Sequence, residues 1–529
     1  MSAIITDQFR ILNANNFVES VENTNNSYYV FIGLPNPAGT GSLVGYGRSS
    51  NWNSSTPAPT DSFSYRSHTG DTMMFGKKIA SSNIRRIIRR VDWVAGSRYE
   101  IYRDDYSVEN PSPLTQANRL YDANYYVLNS DFKVYICIDN GSTGTNPLGN
   151  VSQDEPTFTD LEPSKAGNSG DGYVWKYLFT VSPSDIIKFD STEFITVPNN
   201  WSTSTDSQIR AVRENGDSNV NENQIKHVYI EKAGNNYANG LGQEVDIIGD
   251  GTGAKARVDV VNGSITDVTV SAGGKGYTYG LVDLGTLNSN VTSANQAKLI
   301  PIIPPGLGHG SDVYTELGTD RVIVYARFDD STKDFPIDTK FSQVGVVKNP
   351  TKVGTSVTYT DNTYSSLQAI KFDTVTGVPQ VGEEIKQVLT VSPNTGKVAT
   401  AYCASYESET KVLKYFRDRS LNFNRTSYDH TDYAGISTAG RIYDFESVVG
   451  ANNIEGKSSF FAGAISRNFS GITTNPTGNK LINLGVNFIS GLSNSEINKG
   501  SGEVVYLDNR PLIVLSLIHI SEPTRQEAM

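Results

Sequence analysis

Apolar and polar positions alternate along much of this chain. In "YVWKYLFTV", Tyr173, Trp175, Tyr177, Phe179 and Val181 fall on one side, and Val174, Lys176, Leu178 and Thr180 on the other. A period of two with so many aromatics predicts a strand with one heavily buried face. "KVYICI" sets Val134, Ile136 and Ile138 on one face, and "RVIVYARF" and "GEVVYL" read alike. Helical patterns are few. "SSNIRRIIRRVDW" predicts a helix with Ser82 as N-cap, and "SPSDIIKF" predicts one turn with Pro183 early in it.

One stretch repeats. "VYIEKAGNNYANG" at 228–240 aligns with "VTVSAGGKGYTYG" forty positions on, at 268–280. Between them "DGTG" and "NGS" separate alternating runs, as tight hairpin turns do. Such strands make a small β-module, flanked by polar linkers near 215–223 and 288–294. Two copies are too few for a long solenoid. Residues 351–485 read as strands and turns, though the aromatic-rich "LNFNRTSYDHTDYAGISTAGRIYDF" shows no clear period.

Composition sharpens this reading. The 529 residues exceed one ordinary domain, and about three or four fit that length. With 47 Gly, 28 Tyr and 21 Phe but 4 Met, strands are favoured over helices. The expected fold is mainly β and multidomain, sandwich- or barrel-like, with few short helices. A β-rich N-terminal domain is expected over 1–225 and an inserted Gly-rich β-repeat module over 226–290. A C-terminal β domain is shared by 300–350 and 486–514, with a β-rich insertion over 351–485. The net charge of −11 argues against a nucleic-acid partner. Cys137 and Cys403 lie far apart and form neither a metal motif nor a disulfide framework. The first residues lack the basic and apolar regions of a signal peptide, and no run reaches the roughly 18 apolar residues of a membrane span. A soluble protein made in a cytoplasm, with no membrane partner, is the expectation.

Candidate chemistry is sparse. "GLGHGSD" places His309 three residues before Asp312, a spacing open to a catalytic pair or metal ligands. No third ligand stands at a suitable spacing, so a glycine-rich loop is the expected reading. Asp154 with Glu155, and Glu383 with Glu384, are adjacent carboxylates. Glycosidases need two such groups converging across a cleft, whereas neighbours on a strand point to opposite faces. Arg85, Arg86, Arg89 and Arg90 form a basic cluster; on a helix they would pair at i, i+4. Pairing with carboxylates within the chain or across a subunit interface is expected, rather than phosphate binding. "GDGTG" lacks the Lys-Ser/Thr of a phosphate loop and reads as a turn. No cofactor, metal or catalytic site is expected, and the composition fits a structural or assembly component.

Several motifs, taken in order, resemble one family. They are "FRILNANNF", "YYVFIG", Trp52, "APTDS", "IIRRVDWVAGSRY", "GDGYVWKYLFTV", "FITVP", "FSQVGVVKNP" and "GSGEVVYLDNRPLI". Together the chain is similar to the baseplate wedge subunits, the gene product eight family, of T-even-type contractile-tailed phages, in an expanded form like that of marine relatives. The collinear matches span residues 9–200, 321–350 and 486–514; the repeat and 351–485 fall outside them. Arg89, Arg90, Asp92, Trp93, Gly172, Tyr173, Trp175, Asn349, Pro350, Asn509, Arg510 and Pro511 carry the resemblance as structural motif residues. It implies a homodimeric, mainly β virion subunit that joins other wedge proteins around the tail hub, without catalysis. On this reading "IIRRVDW" is either an Arg–Asp network or a subunit contact, and the exposed edges of the added module are docking surfaces. The alternative class is a carbohydrate-binding or carbohydrate-cleaving phage tail protein, in which Asp154, Glu155 or His309 would matter.

The C-terminal stretch stands apart. "PLIV" completes the expected closing strand, but residues 515–525, "LSLIHISEPTR", match the in-frame translation of a transposase adapter used in sequencing-library preparation. Residues 515–529 are therefore expected to be an artefact, excluded from fold reasoning.

Overall fold

The computed structural model describes residues 6–33, 69–70, 73–217, 223–287, 291–326, 340–341, 343–372, 384–388, 392–393, 395–396, 398–416, 454–457, 479–482, 486–487, 496–498, 500–508 and 513–514. Asn509, Arg510, Pro511, Glu383, Trp52 and residues 515–529 lie outside these. The described chain is mainly β, in several antiparallel sheets with few short helices. It divides into two compact units, one of residues 1–18 and 84–323, the other of residues 19–83 and 324–529.

The first unit is built on a four-stranded sheet in the order Tyr126–Leu128, Lys133–Asn140, Tyr173–Thr180, Ser164–Lys165. The register sets Cys137 opposite Trp175, Ile136 opposite Lys176 and Tyr135 opposite Tyr177. Tyr173, Trp175, Tyr177, Phe179 and Val181 are all buried, as alternation predicts. The opposite face is not open, however: Lys176 and Leu178 are buried as well. The helix Ser207–Asp217 and the loop around Gly310 cover it, with Val212 and Leu178 both within reach of Gly310. A strand in the middle of a sheet with both faces covered loses the polar side that alternation leads one to expect.

The segment around Arg85 corrects the helical reading. Ser81–Asn83 forms a single 3-10 turn, and Ile84–Arg89 is a strand paired with Phe194–Val197. Ile84, Ile87 and Ile88 are buried there, and β-branched side chains stiff at χ1 suit a pleated strand better than a helix. The arginines therefore do not share a helical face. The Pro183 turn holds: Pro183–Phe189 is helical, and its N-cap Ser182 accepts a hydrogen bond from the Asp185 backbone N–H.

The repeat lies in a barrel-like module of the same unit. Four strands run in the order Ser264–Lys275, Thr252–Val261, Gly240–Gly249, Gly280–Val282, and a ribbon pairs Val228–Lys232 with Lys298–Pro301. One apolar core, from Ile225 and Val228 through Val258 to Val282 and Leu299, is shared by all six strands. The "NGS" turn is a tight hairpin in which Asn262 and Gly263 both have positive φ, at 53° and 77°. The two copies of the repeat fold alike. Gly234 and Gly274 have φ of 65° and 64°, and a Cβ on either would lie under 3 Å from the ring of Tyr237 or Tyr277. Each of those tyrosines is buried, and each hydroxyl accepts from a backbone N–H, that of Ala297 or of Ala254.

The module's edge at Ser264–Lys275 is tied at its two ends. Ile225 donates to the Gly273 carbonyl and Ile265 to the Ala233 carbonyl, which ties the ribbon's flanks to both ends of that strand. The ribbon is fixed in turn: Gly144 donates to the Ile230 carbonyl at 2.7 Å.

In the second unit a five-stranded sheet runs Thr363–Ser365, Met73–Ile79, Tyr28–Gly33, Gln343–Lys348, Glu503–Asp508. Tyr29, Phe31, Met73, Val347, Tyr359, Tyr364 and Ile497 form its core. Asn349 sits at the sheet's end with φ 50°, its Oδ1 accepting from the Ser27 N–H at 2.7 Å and its Nδ2 donating to Asn26. The Pro350 carbonyl accepts from Tyr359. A seven-stranded sheet draws its strands from between Gln368 and Asn487.

Candidate functional site

The four arginines are each engaged within the chain. Arg85 makes a two-pronged pair with Asp185, Nε to Oδ2 and a terminal nitrogen to Oδ1, each at 2.9 Å. Arg86 is buried, donates to Asn15 and Asn199, and lies 4.2 Å above the ring centre of Tyr314. Arg89 donates to the carbonyls of Asp122 and Ala123. Arg90 binds Asp92 at 2.9 Å, Asp190 at 3.1 Å and the Ser191 carbonyl at 2.8 Å. The Trp93 indole donates to Ser152. The cluster is thus a web of arginine, aspartate and backbone carbonyls, a chemistry that fixes loops rather than holding a free phosphate.

The strand at Tyr173 supplies an aromatic cluster. Trp175 stacks on Tyr173, with ring centres 5.3 Å apart, and meets the edge of Tyr99 at 5.7 Å. The Tyr173 hydroxyl donates to the Asn150 carbonyl and accepts from the Tyr99 N–H. Gly172, just before the strand, has φ 89°, which a side chain adopts only under strain. Asp171 secures this entrance by accepting from the N–H groups of Tyr173 and Gln153.

Asp154 and Glu155 serve separate partners. Asp154 is held below the usual carboxylate range by hydrogen bonds from Ser169, first from its side chain and then from its N–H. Glu155 accepts from the Ser130 N–H at 2.6 Å. Two neighbouring acids spent on separate backbone donors are loop fasteners, not an acid–base pair. Glu384 begins the strand Glu384–Val388.

His309 and Asp312 do not pair either. Asp312 is the N-cap of the helix Val313–Leu317, accepting from the Tyr314 and Thr315 N–H groups. His309 turns instead to Glu316, Nδ1 to Oε1 at 2.5 Å, while Glu316 Oε2 accepts from the Gly310 N–H at 2.7 Å. Both side chains are buried, and Tyr102 meets the imidazole edge-on at 4.8 Å. No group of three His, Cys, Asp or Glu suited to a metal occurs among the described residues. Glu316 was legible only indirectly. Asp312 as a cap and Gly318, at φ 68°, as a stop bracket a helix that brings Glu316 back toward the glycine loop. Glu316→Gln should lower stability by about 2 kcal/mol, since it removes the charge from two hydrogen bonds. Chemical unfolding of wild type and variant measures this; an unchanged midpoint would mean that the loop does not depend on the pair.

No family model matches the chain. The baseplate wedge protein gp8 of Enterobacteria phage T4 is 27% identical to it over 220 residues. That match takes in 37% of this chain and 60% of the phage T4 protein. The chain is thus distantly similar to a phage baseplate wedge protein.

Proposed function

We propose that this protein is a structural subunit of a phage tail baseplate, a wedge component of the virion that works through protein–protein contacts and not through catalysis. The observation that carries this reading is the distant similarity to the phage T4 wedge protein. Asp154, Glu155, Asp312 and His309 support it, since each is engaged in holding a loop or capping a helix. On this reading the subunit is a homodimer that joins other wedge proteins around the tail hub. Arg89, Arg90, Asp92, Trp93, Gly172, Tyr173, Trp175, Asn349 and Pro350 shape the folded parts that the wedge uses.

Co-expression with the other wedge proteins of the same phage tests the proposal. A complex that co-sediments, and a dimer mass by light scattering for the isolated chain, are expected. A strict monomer that joins no wedge protein would overturn it. Release of reducing sugar from host glycans, abolished by Asp154→Ala, would favour the carbohydrate reading instead.

A further inference from the structure

Among the described residues one lysine is buried, Lys176 at 2% exposure. It stands on the covered face of the strand Tyr173–Thr180, and its Nζ donates to the Leu161 carbonyl. The same carbonyl oxygen accepts from the side-chain amide of Asn215 at 3.0 Å. That amide also donates to Glu162 Oε1 at 3.2 Å, and Glu162 Oε2 takes the Lys226 ammonium at 2.7 Å. Lys176, Asn215, Gln224, Lys226 and His309 line one small cavity. A buried amine and a carboxamide therefore meet at one oxygen, with a carboxylate bound to the amide nitrogen.

We propose that Lys176 and Asn215 become joined by an isopeptide bond once the chain has folded. The neutral Lys176 Nζ attacks Asn215 Cγ, and a new C–N bond forms. The bond from Cγ to Nδ2 then breaks. Glu162, already bound to Nδ2, carries a proton from the attacking nitrogen to the departing one, and ammonia leaves. Counted from the lysine ammonium, the products are one secondary amide and one ammonium ion. No electron is transferred and no other reactant is needed.

The choice of lysine follows from its surroundings. Lys226 is partly exposed and paired with Glu162 at 2.7 Å. Burial pushes Lys176 down to about 8, so the free amine is available near neutral pH. The bond would staple the central strand to the helix Ser207–Asp217, the last helix before the barrel-like module.

Intact-mass measurement of the denatured full chain decides the matter. The expected mass is that of the sequence less one ammonia, and digestion should give a branched peptide containing Lys176 and Asn215. Lys176→Met and Asn215→Ala should each restore the full mass. Asn215 precedes Gly216, and a succinimide at that pair would also lose ammonia. A deficit that survives Lys176→Met would therefore overturn the proposal, as would a wild-type chain of full mass.

Discussion

Above about pH 10 the protein should unfold steeply, because its cores are filled with tyrosines that must stay neutral. Tyr102, Tyr125 and Tyr364 are raised well above the ordinary phenol value of 10.0, with burial the leading cause in each. Burial likewise raises Tyr106 and Tyr126, and it brings Tyr121 up to about 12. These groups hold their protons longer folded than unfolded. Their stabilisation is complete below the unfolded value and is lost as pH rises past it toward the folded values. Each unit of difference is worth about 1.4 kcal/mol, so a handful of such residues outweighs a net stability of about 5–15 kcal/mol.

Lys176 acts with the opposite sign. Its folded value, about 8, lies below the ordinary 10.5, so the unfolded chain binds the extra proton and stability rises with pH between the two. A chain cross-linked at Lys176 has lost that group and should show no such rise. Tyrosinate absorbance followed against pH beside far-ultraviolet circular dichroism tests the scheme. The buried phenols should ionise together as the sheet signal collapses. Gradual ionisation with the sheet signal intact would contradict it.

Trp175→Ala should cost about 3–5 kcal/mol, the range for removing a large aromatic from a packed core. Trp175 is fully buried in the middle of the sheet, stacked on Tyr173, edged by Tyr99 and opposite Cys137. Urea unfolding should show a large fall in midpoint, with Trp175→Phe falling less because a ring still fills part of the site. A loss under about 1 kcal/mol for the alanine variant would show that the cluster is not the anchor of the first unit.

The sequence revealed this core because the strand lies in regular alternation and its aromatics are large. It concealed Lys176, whose position on the other face of that strand reads as solvent-facing until the covering helix and loop are known. The strand Ile84–Arg89 was misread for a related reason. A short apolar run broken by arginines fits a helix and a strand equally well, and only its partner Phe194–Val197 decides. The helix Asp7–Glu22 went unnoticed because its pattern is blurred: Ile11, Ala14, Val18 and Val21 are buried, yet Phe9 and Leu12 are half exposed. The barrel turns were plain, since "NG" at a hairpin has a specific backbone meaning, and the repeat marked equivalent tyrosines. Which carboxylate His309 binds was legible only indirectly, because Asp312 is nearer in the chain and its role as a cap shows only once the helix is placed.

The barrel-like module begins and finishes on partnered strands, with Val228 directly opposite Pro301. A peptide that leaves the body and returns to it at nearly one point behaves as a cassette. Such a cassette can be lengthened, shortened or exchanged with little disturbance to the flanking chain. Because backbone bonds at Ile265 and Gly273 fasten the two ends of its long outer strand, less of that edge is left to pair with another chain. A change of length within the module would then leave the sheet around Trp175 in place.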